Sequence, residues 1–191
     1  MRIIAGSYRS RALEAPAGMA TRPTSDRLRE TLFNVLAGRI EGAGFLDLYA
    51  GSGAVGLEAL SRGAARVEFV ERSEPALCVL RGNLARLGLT SGFRIHAGSV
   101  GSVLRRMKPG TAFDLVFLDP PYDAAQEYAA TLGLLGGSVV GMLSPGALVI
   151  AEHRKKERLE ERYGELMRTR LLVQGDAALS FFVAGMACAE D

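Results

Sequence analysis

From Phe45 onward the apolar positions fall into short runs separated by longer amphipathic stretches. Strand-like runs are predicted at Phe45–Ala50, Arg66–Glu71, Phe93–Ala97, Phe113–Asp119 and Ala147–Glu152. Between them Leu77, Leu80, Leu84 and Leu87 recur at helical spacing and stop at Gly88, and Tyr128, Leu132, Leu135 and Val139 form a second stripe. Upstream, Leu28, Leu32, Val35 and Leu36 form one apolar face of a helix led in by Thr21-Arg22-Pro23-Thr24, and Gly38 and Gly42 to Gly44 end it. Short apolar strands alternating with amphipathic helices predict an α/β fold with a mostly parallel sheet and helices on both faces. The alternation then changes. Residues 168–174 and 178–184 are strand-like and separated by Gly175-Asp176 with no helix between them, so they form a C-terminal antiparallel hairpin. Residues 3–15 alternate loosely before Ala17-Gly18, which predicts a short N-terminal β-hairpin extension. The expected organisation is a hairpin arm over residues 1–20 and one α/β domain over 21–191.

Composition alters this picture little. A 191-residue chain with 48% hydrophobic and 23% charged residues can bury one continuous core, and a net charge of +2 does not announce a polyanionic partner. The kind of cation is more informative: 20 of the 23 basic residues are Arg, the better bidentate phosphate ligand. Arg2, Arg9 and Arg11 lie in a stretch without acids, which fits either an RNA-contacting arm or an Arg-biased solvated surface. Cys78 and Cys188 form no CxxC pair and read as structural thiols in apolar surroundings. With only His96 and His153, both read as strand-end surface residues, no metal site is expected. The absence of a secretory signal and of a membrane-length apolar run leads to the expectation of a cytoplasmic protein without membrane contact.

The first strand runs into Asp47-Leu48-Tyr49-Ala50-Gly51-Ser52-Gly53-Ala54-Val55-Gly56. Gly51, Gly53 and Gly56 spell GxGxxG between a strand and a helix, a turn whose bare backbone a ligand can approach closely. The string alone is weak, but Glu71 ends the second strand, where a carboxylate can accept both ribose hydroxyls of a nucleoside. Asp47 would repel a pyrophosphate and attract a sulfonium and an ammonium. Local charge therefore favours S-adenosylmethionine over a nicotinamide dinucleotide.

The fourth strand runs into Asp119-Pro120-Pro121-Tyr122. Two prolines fix the backbone and withhold two N–H donors, leaving nearby carbonyls as free acceptors. Ligands in open α/β sheets sit outside the carboxyl ends of the strands, so this segment shares a rim with the glycine loop. Asp119 and a carbonyl of the Pro120-Pro121 turn can hold the two N–H bonds of an aryl amine and localise its lone pair, while Tyr122 offers a ring for stacking. A rigid strand-ending turn with a buried Tyr is the bland alternative.

These residues resemble the amino-methyltransferases with an Asp/Asn-Pro-Pro-Tyr/Phe/Trp motif on the class I, Rossmann-like S-adenosylmethionine fold. The closer resemblance is to the bacterial family that methylates the guanine N2 amine of 16S ribosomal RNA. It is carried by Arg2-Ile3-Ile4-Ala5-Gly6 with Arg9, and by Arg22-Pro23-Thr24 with Asp26-Arg27 and Arg29-Glu30-Thr31-Leu32-Phe33-Asn34. Leu46 to Gly53, Gly56 to Gly63 and Asp119-Pro120-Pro121-Tyr122 complete it. The resemblance implies an enzyme that uses S-adenosylmethionine, releases S-adenosylhomocysteine, and acts as a monomer on 16S RNA in the small ribosomal subunit or an assembly intermediate. It implies that Arg22 and Thr24 help close over the methionine end of the cofactor, and that Asp47, Tyr49, Gly51, Ser52, Gly53, Glu71, Arg72 and Asp119 surround it. Arg2, Arg9 and Arg11 become RNA contacts, and Asp119, Pro120, Pro121 and Tyr122 the catalytic set. Arg27, Arg29 and Glu30 could equally be a solvated helix face with internal ion pairs. One departure stands out: where wider relatives carry Asp or Asn to read the adenine amine, this chain has Ser99. Adenine-N6 methylation of DNA or RNA uses the same Asp-Pro-Pro-Tyr chemistry and is the alternative, although 191 residues leave little room for a separate target-recognition region. Glutamine methylation, a dinucleotide oxidoreductase and a non-catalytic binding module fit the motifs less well.

Overall fold

A computed structural model describes residues 1–15, 25–107, 112–121, 125–138 and 141–185. In chain order its elements are α1 (Asp26–Leu36), β1 (Gly44–Leu48), α2 (Ala54–Ser61), β2 (Arg66–Glu71), α3 (Glu74–Arg86), β3 (Phe93–Ala97), α4 (Val100–Arg106), β4 (Phe113–Leu118) and α5 (Ala125–Gly133). A π-helical turn continues α5 over Leu134–Ser138, and β5 (Leu143–Arg154), β6 (Arg162–Tyr163), β7 (Leu166–Gln174) and β8 (Ala177–Ala184) follow. The strands form one sheet in the order β3-β2-β1-β4-β5-β8-β7-β6. The five strands from β3 to β5 are mutually parallel, and β8, β7 and β6 add antiparallel neighbours. The terminal hairpin therefore inserts β8 directly beside β5.

Helices cover the parallel part on both faces, as strands buried on both sides require. Leu28, Leu32, Phe33 and Leu36 of α1 pack with α2, α3 and the side chains of Phe45, Phe69, Leu115, Phe117 and Ile150. Val100, Val103 and Leu104 of α4, with Tyr128 and Leu132 of α5, cover Leu46, Leu48, Val116, Leu118 and Val149 on the other face.

Several expectations need correction. β5 begins four residues earlier than its apolar run, because Leu143 pairs with Phe113 before a register shift brings Leu148 opposite Leu115. The Ser144-Pro145-Gly146 insert at that irregularity reads as a turn in sequence. β1 stops at Leu48 because Tyr49 swings to φ +61°. Of the three residues that could equally form a solvated helix face, Arg29 is fully buried, whereas Arg27 and Glu30 are exposed. His153 is also buried, donating or accepting at Ser180 Oγ (2.9 Å) and at the Arg154 carbonyl (2.9 Å). Burial pulls its imidazole below the ordinary histidine range. His96 is half-buried and meets the Glu68 carboxylate at 2.6 Å. Cys78 is exposed on α3 rather than set in apolar surroundings. Val139 and Cys188 lie outside the described residues.

The N-terminal extension folds back through an isolated Arg2–Ala12 bridge, with Ile3 and Leu13 buried in the main core. It is strapped along α2. The Ile4 and Ala5 N–H groups donate to the Glu58 carboxylate at 2.7 and 3.0 Å, and Ser7 N–H donates to the Ser61 carbonyl at 2.8 Å. Gly6 holds φ +83° here, and a Cβ on it would fall 1.8 Å from the Ser61 carbonyl oxygen. Buried Glu58 also meets Arg62 Nε at 2.7 Å and Arg29 Nε at 3.9 Å, while Arg29 donates to the Arg2 carbonyl and to Asp26 at 3.1 Å. One carboxylate thus compensates a buried guanidinium and holds two strap amides. Breaking a buried pair from one side leaves an uncompensated charge. Glu58→Ala should lower stability by about 3–5 kcal/mol in urea unfolding; a loss below about 1 kcal/mol would show that the strap and Arg29 find other partners.

Candidate active site

Strand register decides which side chains meet at the carboxyl end of the sheet. Asp47 lies opposite Phe69 and Phe117, and Leu118 lies opposite Ala151. Side chains two residues apart on a strand share a face. Glu71 and Asp119, each two residues beyond those phenylalanines, therefore rise on the same face as Asp47. Glu152 joins them two residues beyond Ile150, and one further step in register brings it level with Asp119. Across β2, β1, β4 and β5 this makes a row of four carboxyl groups, with strands about 4.8 Å apart. The face is the one covered by α1, α2 and α3. Among the described residues, no three His, Cys, Asp or Glu side chains converge closely enough to hold a metal ion.

The row carries strong electrostatic tension. Asp47 is buried, and its Oδ2 accepts from Gly56 N–H at 2.8 Å at the start of α2. Burial raises its pKa from 3.8 to about 8, against the Gly56 hydrogen bond, and Glu71 adds to the rise. Asp119 keeps part of its surface accessible, yet desolvation, Glu152 and Asp47 push it well above the usual carboxylate range. Glu71 is tied down differently. Its Oε2 accepts from Gly51 N–H and its Oε1 from Arg72 and Ser73 N–H, all at 2.8 Å. Three accepted bonds fix the carboxylate while leaving acceptor capacity toward the rim.

The glycine loop sits directly above this row. Gly51 holds φ +55°, and the space a Cβ would occupy is open except for the Tyr49 carbonyl oxygen at 4.0 Å, so a ligand can approach the backbone. Gly56 serves packing instead: a Cβ there would fall 2.3 Å from the Phe69 ring. Gly53 leads into α2, and the buried Ser52 is anchored through its carbonyl by Asn83 Nδ2 at 3.0 Å. Among the described residues, Tyr49 is one of two non-glycine residues at positive φ, a strained conformation of the kind that persists when surroundings enforce it. Its hydroxyl meets Glu127 (2.8 Å) and Thr131 (2.7 Å) of α5, tying the loop to the opposite helix layer. Burial is the main cause that keeps this phenol protonated.

The structure brings together Asp47, Gly51, Ser52, Gly53, Glu71, Asp119, Pro120 and Pro121. Pro120 is buried and Pro121 half-buried at the end of β4. Arg72 and Ser99 are exposed on the same rim, Ser99 following Gly98, whose N–H donates to the Glu71 carbonyl at 2.9 Å. Tyr49 is drawn toward α5 by its hydroxyl. Arg2, Arg9 and Arg11 are exposed on the strap. Arg22, Thr24 and Tyr122 lie outside the described residues. Sequence reasoning missed Glu152. Its place at the end of a predicted strand was the available signal, but only the register with β4 puts it beside Asp119.

A mostly parallel sheet closed by an inserted antiparallel hairpin, with a glycine loop and an Asp-Pro-Pro turn on one rim, is the fold of a Rossmann-like methyltransferase. Among solved structures, one described as "Putative methyltransferase yhhF from Escherichia coli" superposes with a TM-score of 0.83 at 37% identity, covering 97% of this chain and 98% of that one. The chain belongs to the family described as "Conserved hypothetical protein 95", which it matches over residues 1–183. It is 37% identical over 183 residues to the Bacillus subtilis protein named "Putative rRNA methyltransferase YlbH", covering 95% of this chain and 98% of that one. It is 40% identical over 152 residues to "Ribosomal RNA small subunit methyltransferase D" of Escherichia coli strain K12, covering 80% of this chain and 74% of that one.

Asp47 offers a test with a definite sign. A carboxyl whose folded pKa is raised holds its proton where the unfolded chain has lost it. Its contribution to stability is therefore fully present below about pH 3.8 and is lost as pH rises toward 8. Asp47→Asn carries no such titration. Without cofactor, the stability of the variant relative to the parent should rise steadily between those limits and level off above pH 8. A pH-independent difference in urea unfolding would show that Asp47 does not titrate in this window.

Proposed function

We propose that this methyltransferase uses S-adenosylmethionine to methylate the exocyclic N2 amine of a guanine in 16S ribosomal RNA, in the small subunit or an assembly intermediate. The observation that carries the reading is the row Glu71, Asp47, Asp119 and Glu152 beneath the glycine loop. Such a row disfavours a pyrophosphate and favours a ligand bearing a sulfonium and an ammonium. The open backbone at Gly51 beside Glu71 suits a nucleoside whose ribose hydroxyls donate to that carboxylate. The relatives named as ribosomal RNA methyltransferases support the nucleic-acid substrate.

Bound S-adenosylmethionine would supply an electrophilic methyl group on a sulfonium that departs as the neutral thioether of S-adenosylhomocysteine. The chain's own residues then do three things. Asp47 and Glu71 hold the cationic nucleoside on the β1–β2 side of the rim. Nearby positive charge favours the ionised form of Asp119, offsetting the desolvation and the neighbouring acids that raise its pKa. Asp119 and a carbonyl of the Pro120-Pro121 turn accept the two N–H bonds of the target amine, so its lone pair points at the methyl carbon. Transfer of that methyl group would leave the nitrogen a proton to lose, and Asp119 would be the adjacent acceptor for it.

The same floor favours guanine. Guanine presents an N1–H donor beside its N2 amine, whereas adenine sets the N1 acceptor beside its amine. Asp119 and Glu152 together offer acceptors suited to the first edge. Arg2, Arg9 and Arg11 on the strap are available to RNA phosphate.

The test is methyl transfer from radiolabelled S-adenosylmethionine to small-subunit particles, 16S RNA and duplex DNA, followed by nuclease digestion and identification of the labelled base. Label in N2-methylguanine from particles or RNA is expected. Label in N6-methyladenine would replace guanine with the adenine alternative and keep the site, and absence of label in all three substrates would overturn the nucleic-acid reading.

A further inference from the structure

A concentration of positive charge stands next to the acidic row. β5 ends at Arg154, and Lys155, Lys156, Glu157 and Arg158 follow, giving four cations to one acid in five residues. All four cations are exposed, and the stretch holds two of the three lysines of the chain. The loop is fastened rather than loose. Lys155 N–H donates to the Asp176 carbonyl at 2.8 Å in the β7–β8 turn, and Glu157 N–H donates to the Arg154 carbonyl at 2.9 Å. Leu159 is buried behind it, its carbonyl accepting from Arg168 Nη1 at 3.1 Å. Among the described residues, Lys155, Lys156 and Arg158 take part in no ion pair. Glu160, Glu161 and Asp176 are the exposed acids nearby, and Glu161 is engaged by Arg168 at 3.6 Å.

Position gives this charge its meaning. Arg154 lies two residues beyond Glu152, so the cations begin at the carboxyl end of β5, two strand positions past the level of Asp119 and on the side away from the glycine loop. The Arg9 turn of the strap lies elsewhere, since its neighbours Ser7 and Tyr8 bond to Ser61, the last residue of α2 and the end remote from that loop. A polyanion whose target base enters an acidic site needs fixed positive charge close to the entrance, and exposed lysine and arginine heads meet phosphates without regard to sequence.

We propose that the 154–158 loop is a phosphate-binding surface that holds the RNA backbone flanking the target nucleotide; this rests on RNA being the substrate. The test compares the full-length protein with a Lys155→Ala, Lys156→Ala, Arg158→Ala triple variant in 16S RNA binding across a salt series. A control triple variant removes Arg39, Arg94 and Arg105, exposed cations beside Gly146, at the start of β3 and at the end of α4, away from the carboxyl ends of the strands. The loop variant should bind RNA roughly 10–100-fold more weakly at low salt, with the slope of log affinity against log salt reduced by about 2–3. Its S-adenosylmethionine affinity should equal that of the parent, which checks folding. Parental RNA affinity and slope in the loop variant, or a loss no larger than in the control, would overturn the proposal and leave the RNA reading intact. A parent protein that binds no RNA would overturn both.

Discussion

The constraint on which the site depends is the placing of four carboxyl groups side by side where the parallel strands end. Such a row is unfavourable in isolation, because each neighbour and each lost water penalises the ionised form. Asp47 shows it most clearly: a Gly56 N–H bond is too little to hold its pKa down, and it rises to about 8. The proposed function gives this tension a chemical use: a cationic ligand would relieve it, and binding free energy would come from charge that the folded chain has already positioned. The glycine loop, the start of α2 and the backbone amides held by Glu71 give that ligand one direction of approach.

The remainder of the architecture serves this row. The order β2-β1-β4-β5 places Glu71 and Asp47 on one side and the Asp-Pro-Pro turn on the other. Tyr49, strained at φ +61°, links the loop to α5, so the two helix layers meet at the rim. The buried Glu58–Arg29 pair holds the N-terminal strap along α2 and thereby steadies the helix whose first turn bonds Asp47. The basic loop after β5 supplies charge of the opposite sign just outside the acidic floor.

Much of this was legible in the chain. Periodicity located every parallel strand, the two-residue gap at Gly175-Asp176 forced an antiparallel end, and Asp47, Glu71 and Asp119 stood out by their places at strand ends. What escaped was what only pairing creates. Glu152 became a partner of Asp119 through register across β4 and β5, which no single-strand pattern contains. The burial of Arg29 was not legible because a buried guanidinium depends on Glu58 and on the Arg2 carbonyl, 27 residues earlier in the chain. His153 looked like a surface residue because its partner, Ser180, arrives only with β8.

The most direct test of the central claim separates holding the cofactor from using it. S-adenosylmethionine affinity and methyl transfer to small-subunit particles should be measured together for Asp119→Ala. Turnover lower by about 10²–10⁴-fold, with affinity weakened far less than turnover, is the predicted result. Parental turnover would contradict the account, because Asp119 would then take no part in activating the target amine.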